Sequence, residues 1–130
     1  MGACRLKIVT QSGGSESVFE AQGTFEANEK CERVRYPIEG DEGDLILTES
    51  SFKMCRRGAC GLESTFVEGR KTEMRLSGGE LQGKIPVYTA HYHLKKDAFQ
   101  RSIELGYELF TTEHLQTYLL KIQLLFSEEQ

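Results

Sequence analysis

The sequence predicts an all-β protein: a single closed or nearly closed antiparallel up-and-down β-barrel of about eight to ten strands. Three observations predict it. Apolar and polar residues alternate along most of the chain, which sets successive side chains on opposite faces of a sheet. Clusters of Gly, Asn, Asp and Ser break the alternation roughly every ten residues, as hairpin turns do. No segment makes a convincing helix. A run of hairpins with one apolar face must cover that face, and closing on itself does so while removing exposed edges.

CRLKIVT (4–10) reads as a strand with Leu6 and Ile8 on one face, followed by a turn at GGSES (13–17). SVFEAQGTFEA (17–27) puts Phe19, Ala21, Gly23 and Phe25 together, with Gly23 marking a bulge or tight bend. After a turn at Asn28, CERVRYPIE (31–39) sets Val34, Tyr36 and Ile38 against Arg33 and Arg35, and Pro37 places the strand's end at an edge or rim. EGDEGD (39–44) reads as a turn cluster, and DLILTES (44–50) and FKMCRR (52–57) as short strands. LESTFVEGRKTEMRLS (62–77) is a hairpin turning at Glu68 and Gly69, and GGELQG (78–83) a loop. In VYTAHYHL (87–94), Tyr88, Ala90, Tyr92 and Leu94 share the inward face, and Thr89, His91 and His93 the other. In AFQRSIELGYELF (98–110), Phe99, Ile103, Leu105, Tyr107 and Leu109 share a face. YLLKIQLLF (118–126) carries one stripe of Tyr118, Leu120, Ile122, Leu124 and Phe126, with Lys121 and Gln123 pointing away. Its strict alternation favours a strand over a helix. The barrel domain spans 1–126 and SEEQ (127–130) is a charged tail.

A chain of 130 residues suits one domain and buries enough surface to fold without a disulfide or metal. With 38% hydrophobic and 28% charged residues it is globular in composition. The net charge of −4 argues against nucleic-acid binding, which needs a positive surface. No apolar run is long enough for a membrane helix, so no membrane association is expected. MGACRLKIVTQ lacks the apolar core of a signal peptide, and Leu6 stands where a myristoylation motif requires Ser or Thr. A cytoplasmic protein is expected. Cys4, Cys31, Cys55 and Cys60 read as reduced thiols. CRRGAC (55–60) has a wider gap than the CxxC of redox and zinc sites. Arg56 and Arg57 would lower the pKa of a neighbouring thiol if they faced it.

FVEGRK (66–71), then GKIPVYT (83–89), resembles a run found in the uncharacterised bacterial YwiB-like proteins. Phe66, Glu68, Gly69, Arg70 and Lys71 fit its first part, and Gly83, Ile85 and Pro86 its second. GDLILTESSFKMCRRG (43–58) is similar to the preceding hairpin, with Gly58 at its basic-x-Gly corner. The resemblance implies a calycin-type barrel, similar in architecture to lipocalins. It carries over no activity, because the family has none established.

Two groups of residues invite a chemical reading. His91 and His93 would project from one face of a strand, but a metal needs a third or fourth ligand, and His114 lies near a turn with no motif tying it to them. No metal site and no cofactor is expected. Arg101 sits on an apolar face between Phe99 and Ile103. It either lines a lumen and holds a carboxylate bidentately or snorkels out at the rim, and the second reading is favoured. Tyr36, Tyr88, Tyr92, Tyr107 and Tyr118 offer bulk with hydroxyl handles, to frame a pocket or to fill the core. There is no GxSxG elbow, no phosphate loop and no placed Cys-His pair, so no catalytic residue is assigned.

Three functions follow. The first is a non-catalytic binding module for a small apolar or amphipathic ligand in the barrel mouth, with Arg101, Tyr88, Tyr92 and Tyr118 as the ligand-binding residues. The second is a protein-interaction or self-association module with a packed interior. There, outward Leu115, Leu119 and Leu125 form an interface, and a homodimer is its simplest form. The third is a metal-assisted enzyme using His91 and His93.

Overall fold

Short period-two segments joined by glycine-rich turns do what the alternation predicts: every regular element among the described residues is a β-strand. The protein is seen as a computed structural model in which residues 2–78, 82–111 and 115–126 are described. The strands are β1 (Gly2–Ser12), β2 (Ser15–Ala27), β3 (Glu32–Ile38), β4 (Asp41–Leu47), β5 (Ser51–Arg57), β6 (Gly61–Val67), β7 (Lys71–Ser77), β8 (Gly83–Lys96), β9 (Gln100–Phe110) and β10 (Leu115–Phe126). Each pairs antiparallel with its chain neighbour, and β1 closes the barrel by pairing with both β2 and β10. Closure is long on both sides of β1: Gly2↔Phe25 to Ser12↔Ser15 on one, Cys4↔Phe126 to Gln11↔Leu119 on the other.

The predicted inward residues form the core. Leu6 and Ile8 of β1 meet Val34 and Tyr36 of β3, Leu45 and Leu47 of β4, Ile103 to Leu109 of β9, and the Leu120–Ile122–Leu124 stripe of β10. Phe19, Ala21 and Phe25 pack against this core from β2. A string of rings crosses the interior from Tyr92 to Phe52, Phe66, Tyr107 and Tyr118, with neighbouring centroids 6.2, 6.1, 4.9 and 5.2 Å apart. Gly43 is required by this packing: a Cβ there would lie 2.3 Å from Cζ of the buried Tyr36.

Several sequence expectations are corrected. EGDEGD is not all turn. Only Glu39 and Gly40 turn, and Asp41 already begins β4, because the turn needs just two residues with positive φ. Phe99 does not join the inward face; it precedes β9 and is 63% exposed, in a turn where Asp97 accepts the N–H groups of Phe99 and Gln100. Tyr88 and Ala90 do not point inward either. Thr89 pairs with Tyr107 and His91 with Gly106, which leaves Ala90 as an extra residue, a β-bulge. Val87 and Thr89 are therefore inward before the bulge and Tyr92 after it, and Tyr88 projects outward. His114 and the 127–130 tail lie outside the described residues.

Gly43→Ala should destabilise the fold by about 2–3 kcal/mol, because the buried Tyr36 ring must shift to admit the methyl group. Urea unfolding of the variant checks this, and an unchanged midpoint would contradict the packing.

Candidate functional site

Each mouth of the barrel carries an arginine–carboxylate pair. At one, Arg101 of β9 donates from Nε to Glu32 Oε1 at 2.8 Å and from Nη2 to Oε2 at 2.9 Å. Its remaining nitrogen donates to the carbonyls of Asp97 and Gln100. The guanidinium lies 5.6 and 5.0 Å from the ring centroids of Phe25 and Phe126, within cation–π reach. Only 14% of the Arg101 side chain and 11% of Glu32 is exposed. Arg101 thus does not snorkel: β3 brings Glu32, a residue the sequence reading passed over, across the barrel to fill the guanidinium fork. The hydrogen bonds from Arg101 hold the Glu32 carboxyl below its usual range.

At the other mouth Arg56 donates to Asp41 at 2.8 Å, and Asp41 also accepts the backbone N–H groups of Ala59 and Cys60. This locks the 58–60 turn to the start of β4. Gly58 must stay glycine here, since it has φ of +144° and a Cβ would lie 2.0 Å from Asp41 Oδ1. On the outer face Asp44, nearly inaccessible, is clamped by Arg33 and Arg57. Burial pushes its pKa up, but the two arginine hydrogen bonds outweigh that and hold the carboxyl low. Cys55 faces Asp44 in the register, and burial pushes its thiol up. Thiol activation by Arg56 and Arg57 is not the net result at Cys55: Arg56 turns to Asp41, and Arg57, held by Glu42 and Asp44, lowers the thiol less than burial raises it.

The expected ligand residues are not gathered into one site. Tyr92 is buried, its hydroxyl donating to the Thr48 carbonyl at 2.8 Å, and desolvation pushes its pKa up to about 12. Tyr118 stacks on Tyr107 and donates to Gln116. The two stand at opposite ends of the aromatic string, and Tyr88 is outside. His91 and His93 point outward, as expected, and the His91 ring covers Gly106, where a Cβ would come within 2.3 Å of its Cε1. Among the described residues, no three His, Cys, Asp or Glu side chains stand in a metal-holding cluster.

The signature around FVEGRK has a structural use. At the β8 bulge the Tyr92 N–H has no strand partner, and Glu68 Oε1 accepts it at 3.0 Å. The backbone of Gly69 and Arg70 bonds Thr89 beside it. The open concavities lie elsewhere. A groove of about 540 Å³ crosses the outer face of β1, β10, β9 and β8 between Lys7, His93, Lys95, Glu104 and Lys121. A cleft of about 720 Å³ sits by the second mouth among Arg56, Arg57, Arg75 and Lys84.

A closed ten-stranded meander with an aromatic interior and ion-paired mouths is the class these features define. The chain belongs to the family described as Domain of unknown function (DUF1934), whose model matches residues 5–122. It is similar in structure to the crystal structure of ywiB protein from Bacillus subtilis, with a TM-score of 0.79 and 16% sequence identity over 96% of this chain and 90% of that chain. The family expected from FVEGRK and GKIPVYT is therefore the one found. At that identity the likeness shows the fold alone. No curated protein matches the chain.

Glu32→Gln should cost about 2–3 kcal/mol at neutral pH by leaving Arg101 without its carboxylate. Because the folded pKa of Glu32 is depressed, this stabilisation is complete above the unfolded carboxyl value of about 4.3 and disappears as pH falls through the folded value. Unfolding of wild type and variant across acidic pH should show the gap closing; a constant gap would refute the pairing. Glu68→Ala should cost about 1–2 kcal/mol by stranding the Tyr92 N–H, and accelerated hydrogen exchange at that amide would be its signature.

Proposed function

We propose that the protein is a non-catalytic binding module that works through its outer surface, while its interior serves as packed core. The observation that carries this reading is the aromatic string from Tyr92 to Tyr118, which occupies the space a lumenal ligand would need. The Glu32–Arg101 pair adds to it, since the guanidinium that would receive a ligand's carboxylate already holds one. Protein association, with outward Leu115, Leu119 and Leu125 available on β10, is the mode this favours. The proposal includes a bacterial, cytoplasmic setting, supported by four free cysteines, and kinship with calycins, supported by the meander order of the strands.

A second reading keeps an amphipathic ligand inside the barrel. It is favoured by the hydroxyls of Ser64 and Thr89, both buried without a hydrogen-bond partner among the described residues. Polar groups so placed are costly unless something satisfies them.

Titration with a fluorescent fatty-acid analogue separates the two. The outer-surface reading expects no saturable complex. A one-to-one complex that unlabelled fatty acid displaces, and that Arg101→Ala weakens, would establish the lumenal ligand instead.

A further inference from the structure

The β2–β3 seam of the barrel is only partly closed. The two strands pair over Thr24↔Arg35, Phe25↔Val34, Glu26↔Arg33 and Ala27↔Glu32, and the ladder stops there. The cause is in β3. The Asn28 N–H bonds the Cys31 carbonyl, so even-numbered residues of β2 turn their N–H groups toward β3, and odd-numbered residues of β3 turn theirs toward β2. The next hydrogen-bonded pair would join Gln22 to Pro37, and Pro37 has no N–H to donate. Beyond that point β2 runs on as an edge. Among the described residues, no strand ladder engages the side of Glu16, Val18, Glu20 and Gln22 that faces away from β1. The side chains there are open, with Val18 55% exposed. An edge of this length with unused donors and acceptors is a template for another strand.

We propose that residues 16–22 of β2 pair antiparallel with the same residues of a second copy of this chain, about a two-fold axis at Phe19. The edge is self-complementary under a two-fold axis, and hydrogen-bond parity and charge fix its register. A two-fold pairing must set even residues against even residues, because only these face the edge. An axis at Val18 would put Glu16 opposite Glu20, and an axis at Glu20 would put that carboxylate opposite itself; like charges directly opposed oppose pairing. An axis at Ser17 would engage only Glu16 and Val18 before reaching the Gly13–Gly14 turn. The axis at Phe19 pairs Val18 with Glu20 and Glu16 with Gln22. It uses all four outward N–H groups and opposes no like charges. This deepens the proposed outer-surface function by naming its partner and rests on that reading.

Sedimentation of the full chain from low micromolar to millimolar concentration tests it, beside amide hydrogen exchange at the two extremes. The expected result is a monomer–dimer equilibrium in which the Glu16, Val18, Glu20 and Gln22 amides gain protection in the dimer. Val18→Pro removes an edge N–H without touching the β1 ladder and should leave a folded monomer. Val18→Glu should weaken association about tenfold through two symmetric like-charge pairs, whereas Val18→Lys, facing Glu20, should not. If Val18→Pro fails to fold, the exchange data and the two charge variants decide alone. A wild type that stays monomeric overturns the pairing, as does a dimer whose edge amides remain unprotected. Neither outcome bears on the packed interior, which the fatty-acid titration tests separately.

Discussion

A closed sheet of ten strands encloses more space than aliphatic side chains comfortably fill, and the rest of this structure depends on how that space is occupied. The chain spends its largest side chains there. Tyr92, Phe52, Phe66, Tyr107 and Tyr118 come from five strands and touch in sequence across the interior. Ring-to-ring packing of this kind resists a change of volume at any member, because close-packed interiors transmit strain. Gly43 shows the tightness, since the Tyr36 ring already occupies the place of its missing Cβ.

Ion pairs finish what the rings begin. Arg101 and Glu32 are 69 residues apart in the chain and join β9 to β3 across one mouth, under Phe25 and Phe126. Asp41 and Arg56 tie β4 to β5 at the other. Both pairs sit where the barrel meets water, so the charges keep partial hydration while gaining bidentate or multiply bonded geometry. They divide the molecule into a filled inside and an outside that carries its open features, the lysine-lined groove and the unpaired run of β2.

The period-two pattern, turn residues and FVEGRK signature made the strand count, the closure and the family legible, because these depend on local chemistry. The candidate site was less so. Arg101 was visible as an anomaly on an apolar face, yet its partner was not, since Glu32 lies in another hairpin and no local spacing connects them. Tyr88 was misplaced because strict alternation carries no mark of a bulge; Ala90 is an ordinary strand residue until β9 counts it out. Pro37 did announce a rim in the sequence. That its missing N–H faces β2 emerges only from the register.

What the sequence determined by itself is the all-β meander with its inward stripes, the turns that separate the strands, and the family. Each follows from side-chain alternation and backbone preference over a few neighbouring residues. What the tertiary structure decided is which charges meet, which face Tyr88 takes, that rings occupy the centre, and that β2 keeps a free edge. These depend on register between strands far apart in the chain, where a shift of one residue turns every side chain to the other face.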